Sequence, residues 1–209
     1  SQDNIVKYAR YAGAAYKLEG PSWDCESNCQ SQDTKGTIVD YYWDNIVYPS
    51  TGFVAHKDDT KEIIVSFRGS TVLFDWLADA QLLTLNWPES VPGSKVHSGF
   101  LAAFNSASDK IKSTIETILK QHPDYSIVIT GHSLGGSEAS IAAADFAVTH
   151  PEWKSKMALY TYGQPRTGND VYANWLSSQP FPIYRATYKG DVVPQVPFRA
   201  MGFQHHGQE

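Results

Sequence analysis

Two rhythms of apolar and polar positions run along the chain. Residues 3–16 carry Ile5, Val6, Ala9, Ala12 and Tyr16 at helical spacing, which predicts an amphipathic helix. Three strands are then expected: 37–42, rich in β-branched and aromatic residues, the shorter 52–57, and 62–68, the strongest of the three. Asp58-Asp59 between the last two reads as a hairpin turn. The helical period returns over 100–121, with Leu101, Phe104, Ile111, Ile115 and Leu119 as the core side. A continuous apolar strand at 125–130 follows, then a turn and a helix of small residues at 138–148. Strands at 158–162 and 183–188, with a helix at 170–176 between them, complete the pattern. Strands alternating with helices in the second half imply an α/β fold, its central sheet mainly parallel and covered on both faces.

Size and composition narrow the class. The 209 residues suit one well-buried domain, and 42% hydrophobic against 19% charged positions is ordinary globular usage. With 17 Lys+Arg against 22 Asp+Glu and no basic cluster, nucleic acid is excluded as a partner. No apolar run approaches the ~20 residues of a membrane span, so no transmembrane anchoring is expected. The first residue, Ser1, fits a processed, secreted protein. Cys25 and Cys29, the only cysteines, lack the partners of a zinc site. A small local disulfide is the better reading, two free thiols the alternative, and a bridge would point to an oxidising compartment.

Gly131-His-Ser-Leu-Gly-Gly136 carries the chemistry. The pattern G-x-S-x-G is short, but here an apolar strand enters it and a helix leaves it, the context that a nucleophile elbow requires. Gly131 and Gly135 omit side chains where strand and helix converge, and Ser133 is expected at the sheet edge with its hydroxyl exposed. His132 reads as packing. A serine nucleophile needs a base and an acid behind it. Among the later carboxylates, Glu138 and Asp145 ride the helix leaving the elbow, and Asp170 suits a helix cap. Asp191, following the strand 183–188, lies at the C-terminal edge where α/β sites assemble, and is the expected acid. The oxyanion donors are the backbone N–H of Leu134 and the loop at Ser70, which ends the strand 62–68. Directly after that loop, residues 72–80 hold Val72, Leu73, Phe74, Trp76 and Leu77, an apolar side that reads as a mobile lid over the site. No metal or cofactor is called for.

Together these segments resemble the fungal class 3 lipase family of triacylglycerol lipases. The likeness runs through Trp23-Asp-Cys, Phe67-Arg-Gly-Ser, Trp76-Leu-Ala-Asp, Lys95-Val-His-Ser-Gly-Phe, Gly163-Gln-Pro-Arg-Thr-Gly, Gly190-Asp-Val-Val-Pro and Gly202-Phe-Gln-His. It implies an α/β-hydrolase fold with a helical lid, Ser133 as nucleophile, Asp191 as acid, and Ser70 with Leu134 at the oxyanion hole. The implied enzyme is a secreted monomer whose partners are an ester substrate and a lipid–water interface. From the residues alone His205 or His206 would be the base, since both follow Asp191. The resemblance instead places the family's base a few dozen residues further on, so the chain is expected to lack that C-terminal segment. A feruloyl or other carboxylesterase of the same fold, and an inactive lipid-binding remnant, are the competing readings. The apolar side chains of 72–80 favour a lipase over a fixed-flap esterase.

Overall fold

The computed structural model describes residues 2–70 and 83–207. The expected lid segment, with Val72, Leu73, Phe74, Trp76 and Leu77, lies outside the described residues. The described strands are β1 (Ile38–Asn45), β2 (Ser50–Lys57), β3 (Glu62–Phe67), β4 (Thr84–Asn86), β5 (Lys95–His97), β6 (Ser126–His132), β7 (Met157–Tyr162), β8 (Gly168–Asn169), β9 (Ile183–Ala186) and β10 (Phe203–Gln204). The described helices are α1 (Gln2–Ala14), α2 (Ser27–Gln30), α3 (Ser98–Asn105), α4 (Ser108–Gln121), α5 (Leu134–Thr149) and α6 (Asp170–Ser177).

The main sheet has the order β1-β2-β3-β6-β7-β9. Its first three strands are antiparallel, with β2 and β3 joined through a 3₁₀ turn at Asp58–Thr60, and β3, β6, β7 and β9 are parallel. Both faces are covered, so the central strands alternate between two cores rather than between core and water. Ile63, Val65 and Phe67 of β3 join Ile127 and Ile129 of β6 under α3, α4 and α5. Ile64 and Val128 point the other way, to Tyr8, Tyr11, Ala14 and the cystine. A small second sheet, β10-β8-β5-β4, lies apart from the first.

Two expectations about helices are corrected. The buried side of α1 is Tyr8, Tyr11, Ala12 and Ala14, while Val6 is exposed. The tyrosines win because their rings fill the core and their hydroxyls find buried partners: Tyr8 donates to Glu62 Oε1 at 2.6 Å, and Tyr11 pairs with Thr37 at 2.9 Å. The single helix expected over 100–121 is two helices. Its break falls at Ser106, whose hydroxyl turns back to the carbonyl of Ala103 at 2.7 Å. Asn45 at the end of β1 fastens the break, donating to Ser106 Oγ at 2.9 Å. Cys25 and Cys29 form the expected disulfide, their Cα atoms 5.0 Å apart.

Candidate active site

Parallel pairing decides where the chemistry can gather. Phe67 is level with Gly131, and Tyr162 with Ala186, so β3, β6, β7 and β9 end together at one edge. The segments leaving that edge carry Ser70, Ser133 and Asp191.

Ser133 links β6 directly to α5 and holds φ 57°, ψ −128°. A non-glycine residue in that region is strained, and the strain is what turns the chain from strand to helix in one residue. Close approach around it demands glycine. A Cβ on Gly131 would lie 2.2 Å from the carbonyl oxygen of Gly135, and one on Gly135 would lie 2.3 Å from that of Phe67. A Cβ on Gly69 would meet the carbonyl oxygen of His132 at 2.6 Å and the Ser133 Cβ at 3.0 Å. The loop after β3 is thereby locked onto the elbow, and Arg68 N donates to Thr51 O at 2.8 Å to anchor its base. Ser133 is consequently 5% exposed rather than standing in the open as expected, because this loop packs against it.

Leu134 is the first residue of α5, so its N–H belongs to the helix turn that has no intrahelical acceptor. Leu134 and Ser70 share the wall of an apolar cavity of about 400 Å³, completed by Tyr48, Pro49, Leu85, Ser98, Gly99, Ala102 and Ala103. A second recess of about 290 Å³, reaching Asp44 and Arg68, shares the same two residues.

Asp191 follows a positive-φ glycine, Gly190, and its Oδ1 accepts the N–H of Val193 at 2.9 Å. It sits in a polar cavity of about 740 Å³ lined also by Arg166, Arg185, Lys189, Arg199 and His205. Gly163, at φ +54°, leaves the space between Asp191 and the elbow. A Cβ there would be 3.0 Å from Asp191 Oδ2 and 3.5 Å from His132 Nε2. His132 thus faces the acid side of the site as well as packing, since its Nδ1 lies 2.7 Å from the Tyr16 hydroxyl. Partial burial lowers its pKa, and the Asp191 charge opposes that shift.

The other candidates are engaged elsewhere. His205 Nε2 donates to the carbonyl of Pro194 at 2.8 Å. His206 is sealed in the core, its Nε2 3.0 Å from Gln164 Nε2, and burial with nearby Arg185 and His205 pushes its pKa down to about 3. Asp145 pairs with Lys112 at 3.2 Å. The cap of α6 is Asn169, which accepts the Tyr172 N–H at 3.0 Å, and not Asp170. Sequence reasoning passed over the cavity walls at Tyr48, Leu85 and Ala102. It also missed the burial of Glu138, whose signal was a carboxylate among the small, apolar residues of the helix's first turns.

A six-stranded sheet with a strained serine between strand and helix, and an acid beyond a later parallel strand, defines an α/β-hydrolase. The chain belongs to the class 3 lipase family, whose sequence profile matches residues 64–201. It is 35% identical to a lipase of Rhizomucor miehei over 193 residues, 92% of this chain and 52% of that protein. It is 34% identical to secreted mono- and diacylglycerol lipase 1 of Fusarium solani over 214 residues, 99% of this chain and 62% of that one. In structure it is similar, with a TM-score of 0.90 and 33% identity, to a triacylglycerol lipase whose catalytic centre is a serine protease triad; the match covers 99% of this chain and 78% of the other. The chain spans about half the length of the first curated relatives that it matches.

Proposed function

We propose that the natural enzyme hydrolyses carboxylic esters of acylglycerols at a lipid–water interface, through an acyl-enzyme on Ser133. The observation that carries this reading is the positive-φ Ser133 at the strand–helix junction, locked by glycine contacts to the loop of Ser70. Ser133 Oγ attacks the ester carbonyl, and the glycerol oxygen leaves with a proton. Water then releases the fatty acid from the serine. The Leu134 N–H and the Ser70 group are the donors for the oxyanion, and the apolar cavity that both line takes the acyl chain. Asp191 orients the base and supports its imidazolium form. We assign the base to neither His205 nor His206, because Pro194 and Gln164 hold them. The acylglycerol class is supported by the names of the relatives, and residues 72–80 are proposed as the lid. Among the described residues no helix is long and apolar enough to cross a membrane. The further reading is a secreted, extracellular monomer of one domain, which sedimentation of protein from the culture medium checks.

The decisive test is on Ser133 itself. Ser133→Ala should abolish ester hydrolysis with the fold intact, and an alkyl phosphonate should label the parent at that serine alone. Asp191→Asn should lower kcat by orders of magnitude while circular dichroism stays unchanged. Retained activity in a folded Ser133→Ala variant would refute the assignment.

A further inference from the structure

The turn between β1 and β2 is chemically out of place. Hairpin turns favour Gly, Asn, Asp and Pro, which supply the backbone angles and face water. This one reads Ile46-Val47-Tyr48-Pro49, with Ile46 88% exposed, Val47 85% and Tyr48 55%. Strand pairing ends at Asn45 and Ser50, so the four residues stand beyond the sheet as its tip. Nothing in the hairpin's register requires apolar side chains there. Contiguous apolar groups left in water mark a surface that meets a partner.

The partner is indicated by what the tip adjoins. Tyr48 and Pro49 also line the apolar cavity beside Ser70 and Leu134, and Leu85, half exposed, closes the same rim from β4. The tip is therefore the outer lip of the acyl cleft. No charge interrupts residues 46–49, and Asp44 and Arg68, which share a recess with Ile46 and Pro49, face each other at 3.8 Å. The chain as a whole is acidic, at −5. An uncharged or zwitterionic lipid surface fits these features, and an anionic one does not.

We propose that the β1–β2 tip, with Val47 and Ile46 at its apex, inserts into an electrically neutral lipid surface and holds the mouth of the acyl cleft against it. This rests on the acylglycerol reading above and adds a membrane-contact site to it. The apolar lip enters the headgroup region while the cleft opens directly onto the chains.

The test is flotation of the natural enzyme with vesicles of diether phosphatidylcholine, which the enzyme cannot hydrolyse. Val47→Asp should lower the bound fraction about tenfold or more, the loss expected when one buried valine is replaced by a charge. Val47→Trp should bind at least as well as the parent, and added salt should change neither result. Hydrolysis of a short soluble ester should be the same for all three proteins, since Val47 does not line the cleft. Failure of the parent to float, equal flotation of Val47→Asp, or binding lost with salt would each overturn the proposal. Because ether-lipid binding needs no catalysis, the two readings separate. A floating protein without esterase activity contradicts the lipase, and an active one whose flotation ignores Val47 contradicts the anchor.

Discussion

Glu138 shows how a single side chain can tie this fold to pH. It is fully buried on α5, five residues past the elbow, and accepts the Ser50 hydroxyl at 2.6 Å; Ser50 in turn accepts the Trp43 indole N–H at 3.0 Å. Burial pushes its pKa from the ordinary carboxylate value of 4.5 up to about 8, with the Ser50 bond opposing the shift. The folded protein therefore keeps this proton between about pH 4.5 and 8 while the unfolded chain releases it. Native protein binds more protons across that window, so the contribution to stability is full below it and falls as pH rises through it. Glu138→Gln keeps the acceptor for Ser50 and removes the titration. Its free energy of unfolding, from urea titrations, should gain on the parent steadily from mildly acid to mildly alkaline pH, on the order of several kcal/mol in all. A constant difference across pH would mean that Glu138 is ionised in the fold. The sequence placed Glu138 on the right helix, but burial is a tertiary fact. A carboxylate 16 residues from the nearest Lys or Arg in sequence gives no sign of which wall it faces. The placement of Ser133 and Asp191 at the ends of their strands was legible because their context is local: a strand before, a turn at the residue, a helix or loop after.

At the scale of elements, the long strands and the elbow helix were readable from period alone, while the joints were not. The break at Ser106 is fastened by Asn45, 61 residues away, a partner that no local pattern reports. The same holds for β4, β5, β8 and β10, strands of two or three residues that exist only because they meet. The cystine at α2 is local in both senses, and it closes a loop with a separation of four residues. Loops this short restrict the unfolded chain little, so reduction should lower the midpoint of urea unfolding only slightly, and free-thiol titration of untreated protein should find none. A large loss on reduction would mean that the cystine holds Trp23 and Tyr11 in place beyond its own loop. The proposed lid makes a different kind of claim. If Leu73, Trp76 and Leu77 close over the cleft as proposed, opening in water would expose apolar area at about 25 cal/mol per Å², a cost removed at an oil surface. Activity on a medium-chain triglyceride should rise sharply as droplets form, and Trp76→Ser should weaken that rise more than it weakens turnover of a soluble ester. A smooth climb through the solubility limit, with both substrates equally affected, would leave 72–80 as a fixed helix.

For the whole molecule, the sheet order does two jobs with different tolerances. The antiparallel β1–β2–β3 side ends in the exposed tip and a cavity wall, and the parallel strands β6 and β9 lead to the proposed nucleophile and acid. The fold class was visible in the sequence because alternating strands and helices leave few topologies open. The division of labour was not, since it depends on which strand edges face the same space. The glycine contacts at Gly69, Gly131 and Gly135 bring backbone oxygens of two strands and a helix to 2.2–2.6 Å from where side chains would stand. A region built that way accepts almost no substitution. The cavity wall is the opposite case, because Leu85, Ala102 and Ala103 meet it with side chains from β4 and α3. Inheritance can therefore act on the two independently. On the proposed reading, descendants of this gene can exchange wall residues and so acquire a taste for shorter or bulkier acyl groups, while the glycine-locked serine junction passes unaltered from one lineage to the next.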